Sequence, residues 1–415
     1  MKDKQDEKLS IAENVLWSSF GSIVDLVCQW LISVLVVRLT TSYDAAGVYA
    51  LSTSIYGIVH PIAQYKMYTF HLSDVKYEYS CGEYLAFNGI TCILAMIVCV
   101  GYSLVTAPIS VLPSITLYGL YRLAKVCIDV FHAEDQRSER MDFIGISLAL
   151  QGVSSVLVFS LVFYMSSSLN LALFSMVCAI ICIAFLFDVR FTSRLAEIHF
   201  GITSKKAIRL LLNCFPVVLA SVFCSLSPSI PRQYLLLSSG ESALGIYASV
   251  AAPVAIIQMG ANYIYYPLLG YFAEYNMRGN SRAFKRLLAK TFLAVLIMVL
   301  ICVIGVWLFG EPLLSLVYGS DIVQYSYLLY PMMFSAFLTA LMWFMNDLLI
   351  SVRLFRETVI GSACMLLVTL AVTAPFINEF EMNGVSYTLI ASYASATIVM
   401  IALFVLIGKK AGETS

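Results

Sequence analysis

The sequence predicts an all-α polytopic membrane protein: about 12 transmembrane helices in two six-helix bundles, related by a pseudo-twofold axis around a central cavity. Three observations predict it. The 415-residue chain is 60% hydrophobic and 12% charged, with a mean hydropathy of +0.87, whereas a soluble domain carries about 25% charged residues. Its apolar stretches are each about 20 residues long, enough to cross a hydrocarbon layer roughly 30 Å thick. Two closely similar peptides, Ala45-Ala46-Gly47-Val48-Tyr49-Ala50 and Ala243-Leu244-Gly245-Ile246-Tyr247-Ala248, lie about half a chain apart. Each follows a polar patch and opens an apolar stretch, which marks a tandem of two bundles.

The expected spans, in order, are Asn14–Val36, Ala45–Gln64, Tyr84–Thr106, Leu112–Phe131, Phe143–Met165, Leu171–Phe191, Leu210–Ile230, Leu244–Leu268, Leu287–Phe309, Tyr325–Ile350, Thr358–Ile377 and Gly384–Ile407. The runs are continuous, not alternating, so they read as helices and not as barrel strands. The charged start, Met1 to Ser10, precedes a long apolar stretch with no small-residue cleavage site after it. The first helix is therefore expected to direct insertion itself.

Basic residues set the orientation. With a cytoplasmic N-terminus, almost every Lys and Arg falls on the inner side, densest over Arg190–Arg209 and Arg278–Lys290. The outer ends hold only Arg38 and Arg232, while Arg122 and Lys125 fall inside the fourth span. That asymmetry predicts cytoplasmic termini and an even helix count. The polar link Arg190–Arg209 divides the chain into lobes of residues 1–195 and 196–415. Six helices per lobe make the halves parallel repeats about an axis along the membrane normal. Ser204–Leu212 and Ser281–Lys290 mix basic and apolar residues at helical spacing. They read either as segments lying on anionic headgroups or as ordinary basic flanks.

Composition also excludes. A formal net charge of zero gives no reason to expect a nucleic-acid partner. The cysteines lie mostly inside apolar runs and read as packing residues; Cys178 and Cys182 share a helix face but have no His or carboxylate beside them. No metal site, cofactor or catalytic constellation is implied: there is no Walker loop, no His-Glu-x-x-His and no nucleophile elbow. The chain reads as a non-enzyme whose energy input is an ion, potential or cargo gradient.

The informative residues are polar ones at membrane depth, each costing about 2.5–3.5 kcal/mol on insertion scales unless it faces water or a partner. Arg122, Lys125 and Asp129 share one face of the fourth span, with Arg122 near the midplane. Asp25 sits at similar depth in the first span, in a stripe with Ser18, Ser22 and Gln29. Two readings stay open: an Asp25–Arg122 salt bridge that fixes packing, or a cationic aqueous cavity for an anionic cargo. Arg38 and Arg232, at corresponding ends of the first and seventh spans, could fork phosphate oxygens or snorkel to the interface. His60 with Gln64 in the second span, Gln258 with Asn262 in the eighth, and Asn346 with Asp347 in the tenth complete the polar set. His60 reads as a packing residue or as a proton carrier. Pro216, Pro228, Pro231, Pro253 and Pro267 concentrate in the seventh and eighth spans, where each can kink its helix.

Two six-helix bundles, the repeated Ala-x-Gly-[Val/Ile]-Tyr-Ala, the opening Asn14-Val15-Leu16-Trp17-Ser18-Ser19-Phe20-Gly21 and the late Gly384-Val385-Ser386-Tyr387 resemble the polysaccharide transporter family. This is the O-antigen and exopolysaccharide repeat-unit flippase branch of the multidrug/oligosaccharidyl-lipid/polysaccharide exporter superfamily. The resemblance covers nearly the whole chain. It implies a bacterial plasma-membrane flippase that moves undecaprenyl-diphosphate-linked oligosaccharide (O-antigen, capsule or exopolysaccharide precursor) from the cytoplasmic to the outer leaflet. It implies membrane lipid and polysaccharide polymerase machinery as partners, and a cationic cavity for the diphosphate, a requirement Arg122 and Lys125 fit. The rivals are a multidrug or cation antiporter of the same superfamily, with Asp25 and Asp347 as its candidate acids, and a membrane glycan polymerase or ligase. The polymerase would show a large outer loop, whereas the outer loops here are short and carry Asp44, Glu241, Glu311, Asp321, Glu379 and Glu381.

Overall fold

A computed structural model describes residues 9–40, 43–74, 78–196, 198–252, 254, 261, 264–265 and 268–413. Among them every regular element is helical: α1 (Ile11–Arg38), α2 (Asp44–Gln64), α3 (Met67–Ser73), α4 (Cys81–Thr106), α5 (Leu112–Arg137), α6 (Met141–Ser166), α7 (Leu169–Thr192), α8 (Ser204–Ala251), α9 (Leu269–Met277), α10 (Ser281–Tyr318), α11 (Leu329–Ser351), α12 (Phe355–Phe380) and α13 (Met382–Glu413). Nine helices among the described residues are long and apolar enough to cross a membrane, ten if the bent pair inside α8 is one span. The expected second span is present as α2, a 21-residue helix made more polar by Ser52, Thr53, Ser54, His60 and Gln64. The expected eighth span starts in the last turns of α8 and runs into residues outside those described. The protein is an all-α, multi-pass membrane protein.

The chain forms two compact units, Met1–Val222 and Phe223–Ser415. In the first, α1 packs along α6, α2 against α4 and α5, and α5 against α7. Ser10 with Glu13 and Ser80 with Glu83 form capping boxes that start α1 and α4, satisfying amide donors left free at a helix start. The opening motif has a structural role in this unit. Asn14 donates to the carbonyls of Leu9 (3.2 Å) and Glu139 (3.1 Å) and accepts from the Met141 amide (2.8 Å), tying the start of α1 to the α5–α6 turn. A Cβ on Gly21 would fall 2.3 Å from the Gly145 carbonyl oxygen, and one on Gly145 would fall 2.3 Å from that of Trp17. Only glycine permits this approach of α1 to α6. Tyr65, Tyr84, Phe87 and Phe131 make a buried cluster with Leu210, Cys214 and Val218 of α8. The start of α8 therefore belongs to this unit, with Lys206 Nζ 2.7 and 2.9 Å from the Glu83 carboxylate.

In the second unit α12 runs along α13, and α11 packs on α13. Gly384 repeats the close-approach device, since a Cβ there would lie 2.3 Å from the Phe376 carbonyl oxygen. Gly240, at φ 88°, breaks α8 between the expected seventh and eighth spans, a conformation that strains any side chain. α10 has 38 residues, roughly 57 Å of helix at about 1.5 Å per residue. A span of the hydrocarbon needs only about 30 Å, so this helix, with Ser281–Lys290 as its basic start, is longer than one crossing requires.

Candidate functional site

The helix pair α1 and α5 builds the charged centre of the first unit. Gly152 of α6 lets α1 lie close, since a Cβ there would come 2.9 Å from the Asp25 Cα and 3.1 Å from the Cys28 Cβ. Lys125 Nζ reaches both carboxylate oxygens of Asp25, at 2.7 and 2.8 Å, with the two side chains 11% and 16% exposed. Gln29 Nε2 donates to Asp25 Oδ2 at 3.2 Å, and Gln29 Oε1 accepts from Arg122 Nη1 at 2.8 Å. The salt bridge of Asp25 is thus with Lys125, and the expected Asp25–Arg122 pair is corrected. The reason is register. α1 and α5 run antiparallel, so one turn up α1, from Asp25 to Gln29, meets one turn back along α5, from Lys125 to Arg122.

Aromatic rings enclose the guanidinium. Its carbon stands 5.4 Å from the Tyr56 ring centroid, within cation–π reach. Tyr118 packs against Tyr49 (5.5 Å), Tyr56 (6.1 Å) and Tyr121 (6.1 Å), and all four tyrosines are buried. His60 joins through its Nδ1, 3.1 Å from the Tyr56 hydroxyl. Arg122 Nε is buried with no hydrogen-bond partner among the described residues. The Lys125 charge is neutralised in contact, while Arg122 is held by a neutral amide and by rings and keeps donor capacity in reserve. Such a fork can take two oxygens of a phosphate or carboxylate.

The other candidate residues lie apart from this centre. Arg38 closes α1 as an exposed residue, thirteen positions and about 20 Å along the helix from Asp25. Arg232 belongs to the second unit, where its Nε is buried without a hydrogen-bond partner among the described residues. It sits within electrostatic range of Tyr247 and Tyr393. The Tyr247 hydroxyl lies 3.1 Å from Ser386 Oγ, which joins the second copy of the repeated peptide to the late Gly384-Val385-Ser386-Tyr387 motif. Asp347 accepts from the Tyr265 hydroxyl at 3.1 Å. Gln258 and Asn262 lie outside the described residues. Sequence reasoning missed the tyrosine enclosure. The signal was available in Tyr118 and Tyr121 flanking Arg122 on α5, and in Tyr56 and His60 four apart on α2.

All-helical chains of this kind are found among solved membrane transporters. The lipid II flippase MurJ, in its inward closed conformation, superposes at a TM-score of 0.69 with 10% identity, over 94% of this chain and 87% of that one. The MATE multidrug transporter DinF-BH gives 0.66 with 14% identity, over 97% and 98%. The chain therefore has the fold of the MOP-superfamily transporters. By sequence it is 24% identical over 395 residues to the capsular polysaccharide biosynthesis protein CapF of Staphylococcus aureus, covering 94% of this chain and 98% of that protein. No family model matches the chain.

Proposed function

We propose that this protein is a flippase that carries undecaprenyl-diphosphate-linked oligosaccharide from the cytoplasmic to the outer leaflet of a bacterial plasma membrane. A diphosphate headgroup and hydrated sugars cannot enter hydrocarbon unaided. The observation that carries the reading is Arg122: a guanidinium inside a membrane helix, ringed by tyrosines, with its Nε unbonded among the described residues. Arg122 receives the diphosphate. Lys125 supplies a second cation once cargo draws it from Asp25. Transport proceeds by alternating access, with both termini in the cytoplasm. Similarity to a protein of capsular polysaccharide biosynthesis and a fold shared with a lipid II flippase support a lipid-linked cargo.

The test is a leaflet-resolved assay of lipid-linked oligosaccharide in cells carrying only a variant copy. Arg122→Ala should leave single repeat units on the cytoplasmic face, with export down at least tenfold, and Arg122→Lys should recover part of it. Accumulation on the outer face would favour the polymerase. The multidrug antiporter has one observation in its favour, the fold shared with DinF-BH. It requires Arg122→Ala to spare or improve efflux of an organic cation, and Asp25→Asn to abolish it.

A further inference from the structure

The inner end of the first unit holds a second group of ionisable side chains, which cargo binding leaves unused. Beyond Asp129, the same helix carries His132 and Asp135, and α7 presents Asp188 and Thr192 to them. His132, Asp135 and Asp188 are each 2% exposed. His132 Nδ1 stands 3.8 Å from Asp129 Oδ1, and its Nε2 stands 3.5 Å from Asp188 Oδ1. Thr192 donates to Asp135 Oδ1 at 2.9 Å. His132 Nε2 and Asp188 Oδ2 are buried with no hydrogen-bond partner among the described residues. Asp188 ends a π turn, Ala184–Asp188, set into α7. Such a turn shifts the helix register by about one residue and frequently marks a functional position.

Charge counting makes the group unusual. Of the neighbouring cations, Lys125 bonds Asp25, Arg137 bonds Glu134 at 2.6 Å and Arg140 bonds Asp142 at 2.8 Å, while Arg122, bonded to Gln29, is within electrostatic range of Asp129 alone of the three acids. Glu134 also meets His71 at 2.9 Å. From the other elements packed on this part of α5 come His60 of α2, Tyr68 of α3, Cys81 of α4 and Asp142 of α6. The His132 imidazole thus stands against Asp188 and within electrostatic range of Asp135, while Asp129 is shared between His132 and the cations Lys125 and Arg122. Buried carboxylates without matching cations are costly to keep ionised together. Asp129, whose side chain is 34% exposed, gives the group a route to water.

We propose that His132, Asp135 and Asp188 form a proton-binding site that loads and releases a proton during transport. The site lies about 10 Å along α5 from Lys125, a distance of seven residues, with Asp129 between them on the same face. Its proton therefore biases the Asp25–Lys125 pair, and proton uptake is linked to the freeing of Lys125. Only this last link rests on the flippase reading; the site itself does not.

Infrared difference spectra of the purified full chain in lipid nanodiscs, taken between roughly pH 5 and 8 where histidine titrates and without any cargo, test the site. A protonated-carboxyl C=O band that changes with pH and shifts on carbon-13 labelling of aspartate is the expected result. Asp188→Asn or Asp135→Asn should remove at least half of that band, Asp188→Glu should move it without abolishing it, and Asp321→Asn in the second unit should leave it alone. His132→Gln should flatten its pH dependence. A wild-type protein with no aspartate-derived band overturns the proposal even if every variant folds poorly, because the labelled wild type needs no substitution; so does a band that keeps its wild-type size in both Asp135→Asn and Asp188→Asn. A wild-type protein that shows the band but moves no lipid-linked oligosaccharide between leaflets would sink the flippase reading and leave the proton site standing.

Discussion

The two units carry closely similar copies of one short peptide but fill their polar interiors differently. In the first, Tyr49 sits among Tyr118, Tyr56 and Arg122, and the centre is held by formal charge: Asp25 to Lys125, Gln29 to Arg122, and further in His132 beside Asp188. In the second, Tyr247 meets Ser386, and α12 and α13 face each other with hydroxyls. Thr369, Thr373, Thr388 and Ser392 each donate to the carbonyl four residues back, at 2.6 to 2.9 Å. Thr369 and Ser392 come within 2.8 Å of one another across the helix pair. A hydroxyl satisfied by its own helix needs no partner and gives smooth, neutral packing. A buried charge has no such local remedy and depends on a particular residue of another helix. The centre of the first unit accordingly rests on paired charge between helices, whereas the α12–α13 seam of the second rests on neutral hydroxyls.

The sharpest way to break this contrast is to unpair the first unit. Asp25→Leu or Lys125→Met alone strands a buried charge and should cost about 3–5 kcal/mol, while the double variant should recover most of the loss. Thermal unfolding of the purified protein in detergent micelles reads both, and equal losses in the single and double variants would show that the pair is not coupled.

Packing comes next. Gly145→Leu forces α6 off α1 and should cost about 1–3 kcal/mol by overpacking. Gly57→Leu, with nothing within 4 Å of its Cβ position, should change the same melting curve little. Gly384→Leu should match Gly145→Leu, since close approach is the one device both units share.

A smaller effect lies outside the membrane. Burial opposes ionisation of Asp74, but donors from the Glu78 and Tyr79 amides and the Tyr84 hydroxyl hold its carboxyl below the ordinary carboxylate range. Its stabilisation is therefore present above the unfolded carboxylate pKa and is lost as pH falls through the lower folded value. Asp74→Asn should cost about 1 kcal/mol at neutral pH and nothing once the wild-type carboxyl is protonated, which unfolding curves at several pH values would resolve.

The smallest expected effect belongs to the hydroxyl seam. Thr369→Val with Ser392→Ala should cost about 0.6 kcal/mol, the average for interhelical hydrogen bonds in membranes. A loss as large as that of the Asp25–Lys125 pair would erase the distinction between the units.

Much of the fold was legible because hydrophobic length is a local property. Each of α4, α5, α6, α7, α10, α12 and α13 overlaps the stretch expected for it, and the polar content of α2 is itself visible as Ser52, Thr53, Ser54 and His60. The buried centre was legible in part: Arg122, Lys125 and Asp25 stood out as charges where charge is costly. Their pairing was not, because one helical turn of register between α1 and α5 decides whether Asp25 meets Lys125 or Arg122. His132 and Asp188 escaped notice for a similar reason. They stand 56 positions apart in the chain, near helix ends where polar residues are ordinary, and only the π turn in α7 and the packing of α7 on α5 bring them together.

The sequence by itself determined that this chain lives in a membrane as helices, that two similar peptides lie half a chain apart, and that charges stand at membrane depth on α1 and α5. Those facts follow from transfer energies and spacing along one strand of backbone. The tertiary structure decided which charge answers which, that tyrosines enclose the guanidinium, and that one imidazole serves several acids. Such pairings depend on distances of a few ångströms between helices, set by how glycines and side chains let those helices approach.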